Sequence, residues 1–199
     1  MTIFFRARRF SAKVFRRTLR LFFGFDRWHT APLCKRPYAQ GIIAFCNRQP
    51  VRNSYIEIGC GLGDITRNVR YRRRHGCDID RHVLNAARFV AYLQFQRNII
   101  FRQFSFPETP VEYNNEHKFD CIVLVNWIHL IPPDVLKANI EKYFRENLTG
   151  NGMIIIDTVQ DAEYRYNHDI KYLTSGLPCT IEKVGAYCRQ REVWAISNQ

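Results

Sequence analysis

Residues 54–64 read Ser54-Tyr55-Ile56-Glu57-Ile58-Gly59-Cys60-Gly61-Leu62-Gly63-Asp64, an apolar run of strand length that carries one acid and stops at three alternating glycines. Few local sequences restrict a fold so far. Glycine permits positive φ and leaves no β-carbon between backbone and a ligand, so the run predicts a strand ending in a sharp, close-approach turn. In open α/β sheets that turn follows the first strand at its carboxyl end, where ligands bind. The spacing is G-x-G-x-G, whereas a dinucleotide loop reads G-x-G-x-x-G. Glu57, just ahead of the turn, would repel a phosphate and attract a cation or an amine.

Asp78, nineteen residues past Gly59, stands within His75-Gly76-Cys77-Asp78-Ile79-Asp80. An acid ending a second strand at about this distance is placed to accept hydrogen bonds from both ribose hydroxyls of a nucleoside. Asp80 then fits the N-cap of the next helix, though two plain turn aspartates would read the same way. A third stretch, Phe119-Asp120-Cys121-Ile122-Val123-Leu124-Val125-Asn126-Trp127-Ile128-His129-Leu130-Ile131-Pro132-Pro133-Asp134, gives a fully apolar strand, a polar end, a histidine and a Pro-started helix.

In this order the three stretches resemble the motifs of class I S-adenosylmethionine-dependent methyltransferases, over about residues 50 to 160. The resemblance implies a Rossmann-like fold, S-adenosyl-L-methionine as cofactor, and Asp78 as the ribose acid. It also implies a cofactor site drawn from Glu57, Gly59, Cys60, Gly61, Gly63, Asp78, Ile79, Asn126 and Trp127, with Tyr38 from an N-terminal segment able to close over it. Members often carry an acid after the third strand, near the adenine. Here Phe104-Ser105-Phe106-Pro107 stands there, leaving Ser105 or backbone to read the base. His129 is the candidate general base, since imidazole titrates near neutrality; a helix-start histidine bonded to backbone is the alternative. His29, Tyr38, His168 and Asp169 are weaker candidates, the first two on an N-terminal segment that could close over the cofactor. No Asn-Pro-Pro-Tyr or Asp-Pro-Pro-Tyr follows the fourth strand, which points away from base amines in nucleic acid and toward a small-molecule acceptor.

Strands alternating with helices and a terminal hairpin predict an α/β fold: a seven-stranded, mostly parallel, doubly wound sheet with an antiparallel C-terminal strand, in three α/β/α layers. The expected parts are a basic N-terminal helix (1–25), a cap segment (26–49) and the cofactor-binding domain (50–199). Expected elements include a helix Pro37–Cys46, strands Ser54–Ile58, Arg73–Asp78, Ile99–Phe104 and Asp120–Val125, and a loop from there to Lys118 after the third of these. Helix Asp134–Asn147, a turn Thr149–Gly152, strand Met153–Thr158, a short helix near Asp169–Thr174 and strands Cys179–Tyr187 and Glu192–Ser197 complete the chain.

The net charge of +12 is uneven. Arg6, Arg8, Arg9, Lys13, Arg16, Arg17 and Arg20 precede the first acid, Asp26, and supply more than half of it. At 100° per residue Phe4, Ala7, Phe10, Val14, Phe15, Leu19, Leu21 and Phe22 fall on one side and all the basic residues but Arg8 on the other. Three readings stand: a helix whose apolar side packs on the domain while its arginines face water, peripheral association with an anionic membrane through residues 1–23, or a targeting or nucleic-acid segment. A second basic run, Arg70-Tyr71-Arg72-Arg73-Arg74-His75, reads as a solvated strand entrance or a phosphate grip.

No run of eighteen apolar residues exists. Seven cysteines without C-x-x-C fit neither a disulfide framework nor a zinc site, so no metal is expected and a reducing, cytoplasmic setting is. The resemblance implies methyl transfer, to an oxygen or nitrogen of a small molecule such as a sugar, lipid-linked or secondary metabolite. RNA methylation and a non-catalytic cofactor-binding module are the alternatives.

Overall fold

The computed structural model describes residues 2–107 and 118–198, with side chains from residue 12 onward. Parallel ladders join β1 (Ser54–Ile58) to β2 (Arg73–Asp78) and β4 (Phe119–Leu124), β2 to β3 (Ile99–Gln103), and β4 to β5 (Leu148–Val159). β7 (Arg191–Asn198) runs antiparallel to β5 and to the edge strand β6 (Cys179–Tyr187). The order β3-β2-β1-β4-β5-β7-β6 is the seven-stranded, mostly parallel sheet that the strand–helix alternation predicts. It reverses direction of growth between β1 and β4, the switch point at which open α/β sheets bind ligands.

The central strands are apolar throughout because both their faces are covered. Ile56, Ile58, Ile122, Leu124, Ile154 and Ile156 face α5 (Pro133–Lys142) and α6 (Ile170–Thr174). Tyr55, Cys121, Val123 and Ile155 face α2 (Pro37–Arg48) and α3 (Asp64–Asn68). On that second face α4 (Arg81–Leu93) covers Phe101 and Cys60 with Leu84, Ala87 and Ala91. Asp80 caps α4 by accepting from the His82 N–H, and Asp169 caps α6 through the Lys171 N–H, each satisfying a donor that a first helical turn leaves unpaired.

Three expectations change. The helix from residue 134 is not continuous to 147: it turns at Tyr143 into a wider π turn, Tyr143–Asn147, and both Tyr143 and Phe144 enter the core. The turn at 149–152 is absorbed into β5 as a bulge, since Leu148 pairs with Phe119 and Met153 with Cys121. The loop expected up to Lys118 lies, for residues 108–117, outside the described residues.

The third concerns α1 (Thr2–Phe23). The stripe that meets the domain lies where the basic and apolar sides join, not along the middle of the apolar one. Arg16 and Leu19 are buried, whereas Val14, Phe15, Leu21 and Phe22 are exposed. A buried carboxylate on the domain decides this, as described below. The expected positions of Phe4, Arg6, Ala7, Arg8, Arg9 and Phe10 fall outside the described side chains. Among the described residues no helix is long and apolar enough to cross a membrane.

Candidate active site

β1 delivers the chain into a loop in which Gly59, Gly61 and Gly63 have φ of 78°, 54° and 70°, the left-handed region that a β-carbon disfavours. The Gly59 and Cys60 N–H groups both donate to the Cys77 carbonyl at 2.8 Å, drawing the loop across the end of β2. The absent β-carbons are also sterically required. At Gly59 that space is taken by the Trp127 indole, at Gly61 by His29 Nδ1, which a Cβ would approach to 2.8 Å, and at Gly63 by the Phe101 ring at the same distance. Cys60 packs its buried thiol beneath α4, where it also donates to the Gly61 carbonyl at 3.6 Å.

Asp78 ends β2 beside this turn. Its Oδ2 accepts from the Gly61 N–H at 2.8 Å and its Oδ1 from the Asp80 N–H at 3.1 Å. Each carboxylate oxygen retains a further lone pair for a hydroxyl donor. Ile79 projects outward and is 65 % exposed. Glu57 lies behind the loop, 3 % exposed, with Oε2 accepting from the Thr66 N–H at 2.9 Å and from its hydroxyl at 2.5 Å. Burial pushes its carboxyl up to about 7, against the Thr66 bonds, which favour the anion.

The loop after β4 contributes next. Trp127 Nε1 donates to the Ile58 carbonyl at 2.6 Å, and the indole meets Phe106 edge-on at 4.9 Å between centroids. Ser105, half-buried, precedes that phenylalanine at the end of β3. Asn126 sits at φ 72°, a conformation unusual for a non-glycine residue, and is held there from two sides. Its N–H donates to Asp157 Oδ1 at 2.8 Å and its Oδ1 accepts from Arg191 at 3.2 Å. Arg191 is itself ion-paired with Asp157, and its guanidinium lies 4.6 Å over the Tyr38 ring. Tyr38 and Asn126 thus meet around a buried Arg191–Asp157 pair that the sequence reading missed. The only local signal was an acid closing the apolar run Met153–Asp157.

His129 is half-buried and stacks on Tyr164 at 3.9 Å, with its Nδ1 buried and without a hydrogen-bond partner among the described residues. Burial lowers its pKa below the ordinary imidazole value, helped by the nearby Arg191 and His168 charges. His168 is buried with Nε2 at 2.9 Å from the Ile128 carbonyl. A cavity of about 440 Å³ opens beside it, lined among others by Gln160, Asp169, Tyr187 and Arg191, beyond the carboxyl end of β5, the same end of the sheet as the glycine loop. His29 is lowered by burial too, partly offset by Asp78, Asp80 and Asp26.

Asp64, the first residue of α3, is 4 % exposed and binds three guanidiniums. Arg16 of α1 is bidentate at 2.9 and 2.6 Å, Arg67 lies at 2.6 Å, and Arg36, which opens α2, also pairs with it. Burial alone would raise this carboxyl, but the Arg16 hydrogen bond and the three positive charges hold it below the usual carboxylate range. The cap segment is thereby clamped to the residue that follows Gly63. The basic run at 70–75 falls at the opposite end of the sheet. There Arg74 donates to the Thr66, Arg67 and Val69 carbonyls at the end of α3, and Arg52, Arg70 and Arg72 line a concavity of about 760 Å³. Among the described residues no three His, Cys, Asp or Glu side chains converge as a metal site.

Residues 52–193 match a family model described as a methyltransferase domain. No curated protein matches the chain. Among solved structures, magnesium protoporphyrin IX methyltransferase (ChlM) from Synechocystis PCC 6803 with bound SAH superposes with a TM-score of 0.67 at 13 % identity, over 92 % of this chain and 100 % of that one. N-methyltransferase NodS from Bradyrhizobium japonicum WM9 gives 0.64 at 16 % identity, over 83 % and 97 %. The DhpI–SAH complex gives 0.61 at 18 % identity, over 82 % and 85 %. At these identities the likeness is one of fold. The family match spans well over half of the chain, the glycine turn, Asp78 and the loop after β4 all fall inside it, and the protein therefore belongs to the class I S-adenosylmethionine-dependent methyltransferases.

Proposed function

We propose that this methyltransferase acts on an oxygen or nitrogen of a small molecule, such as a sugar, lipid-linked or secondary metabolite, with an anionic membrane surface as a second partner through residues 1–23. The observation that carries the site assignment is the bond from the Gly61 N–H to Asp78 Oδ2 at 2.8 Å, which fixes an acid at the rim of a glycine turn made for close approach. In this reading Asp78 accepts from the ribose hydroxyls, and the Gly59–Gly63 backbone, Cys60 included, receives the amino-acid end with Glu57 behind it. Ile79 and Ser105 flank the base, while Asn126, Trp127 and Tyr38 close the site from the other side.

Bound S-adenosylmethionine supplies a methyl group on a sulfonium, already an excellent leaving group. What remains for the chain is to orient the acceptor, exclude water and remove a proton where the acceptor carries one. His129, neutral at physiological pH because its pKa is lowered, is the proposed base. The cavity beside His168 and Arg191 is the proposed acceptor pocket.

Calorimetry with S-adenosylmethionine and its demethylated product tests the cofactor half, with Asp78→Asn expected to weaken binding about tenfold or more through loss of charge-assisted hydrogen bonds. Absence of binding heat in the wild-type protein defeats it. Transfer of labelled methyl across acceptor classes tests the other half, and label appearing only in RNA would replace the small-molecule reading.

A further inference from the structure

α1 meets the domain through Arg16, Leu19 and Phe23, spaced along one stripe of the helix. Arg16 is bidentate to the buried Asp64, and Leu19 packs with Phe25, Leu62, Val83, Ala86 and Val90. A buried ion pair at one end and a packed leucine at the other fix the rotation of the helix about its axis. Around that fixed axis, at 100° per residue, Val14, Phe15, Leu21 and Phe22 form a lane on one flank and Lys13, Arg17 and Arg20 a lane on the other. Leu21 and Phe22 are 82 % and 81 % exposed. The apolar surface continues onto α4, where Phe23 lies 5.7 Å from Phe89 between ring centroids, and Tyr92, Leu93 and Phe95 are exposed as well. Exposed apolar surface of this extent marks an interaction site.

Charge decides the occupant. No acid occurs before Asp26, nor between Arg81 and Pro107, so the whole face is cationic and apolar. A second copy laid on it symmetrically would oppose like charges. A nucleic acid would satisfy the cations but leave Val14, Leu21 and Leu93 without apolar cover. An anionic lipid surface satisfies both lanes at once, with the apolar side chains at the acyl boundary and the basic ones reaching headgroup phosphates.

We infer that the outward flank of α1, continued by Phe89, Tyr92, Leu93 and Phe95, is a docking face for anionic membrane, held in that rotation by the Arg16–Asp64 pair. This refines the membrane partner named under the proposed function, and it stands independently of the acceptor. Trp28, 71 % exposed, directly precedes His29, which covers Gly61.

Co-sedimentation of the full chain with phosphatidylcholine vesicles, with and without phosphatidylserine, tests it. Binding is expected only with phosphatidylserine, falling with salt and weakening about fivefold for each of Lys13→Ala, Arg17→Ala and Arg20→Ala. The pair Leu21→Ser/Phe22→Ser should weaken it more than about tenfold. Unchanged thermal unfolding shows the variants folded, and S-adenosylmethionine calorimetry on the same samples keeps a failure here distinct from a failure of the methyltransferase site. No vesicle binding, binding indifferent to Leu21→Ser/Phe22→Ser, or a dimer in sedimentation equilibrium that those substitutions dissolve would each overturn the inference.

Discussion

Replacing Asp64 by Asn isolates the contact that ties the N-terminal helix and cap to the cofactor domain. The carboxylate is 4 % exposed, and two of its partners, Arg16 and Arg67, are only 9 % and 6 % exposed. Asn keeps the shape but removes the negative charge, so three guanidiniums that shared one counter-charge face one another without it in a poorly solvated space. Breaking a buried ion pair from one side costs about 3–5 kcal/mol. For a chain of this size each kcal/mol moves the midpoint by about 2–4 °C, which places the fall in Tm at about 6–20 °C. Arg16→Ala removes one cation and leaves Asp64 paired with Arg36 and Arg67, so its cost is smaller, about 1.5–3 kcal/mol. In the double variant one source of repulsion is gone, and the combined loss must be less than the sum of the two. Urea unfolding of the four proteins supplies the cycle. The depressed carboxyl adds a sign: its contribution is present above the unfolded-state value near 3.8 and disappears as pH falls through the lower folded-state value. A loss below about 1 kcal/mol for Asp64→Asn, or strict additivity with Arg16→Ala, refutes the hub.

Glu57 titrates the other way, since its folded pKa of about 7 lies above the ordinary 4.5. Its contribution to stability is complete below the lower value and is lost as pH rises through the upper one, a change of about 3 kcal/mol that Glu57→Gln should abolish in urea melts at pH 5 and pH 8. His129→Ala should lower turnover about tenfold to a thousandfold with cofactor affinity intact, and the wild-type rate should already be at its plateau near neutral pH because the imidazole is unprotonated there; an unchanged rate removes it from the mechanism. Gly61→Ala meets both a φ of 54° and His29 Nδ1, so cofactor affinity should fall about tenfold, with Gly61→Ala/His29→Ala recovering the steric share and not the backbone share. Full recovery in the double variant would show that the left-handed turn carries no cost.

What the sequence determined by itself is local. Three alternating glycines directly after an apolar run of strand length permit left-handed backbone and mark a tight turn, and the distance from Gly59 to Asp78 is that of one strand–helix–strand unit, so the rim acid was legible before any contact was known. Apolar runs at β1, β4 and β5 likewise announced strands covered on both faces. The tertiary structure decided what depends on partners far along the chain. Arg16 finds Asp64 at a separation of 48 residues and Arg191 finds Asp157 at 34, and neither pair leaves a periodic trace. Helical periodicity revealed that α1 has an apolar and a basic flank but could not say which way it turns. A buried carboxylate on the domain selected the side bearing Arg16, which meets it with a bidentate, charge-assisted pair of hydrogen bonds, and that choice put Val14, Leu21 and Phe22 in solvent.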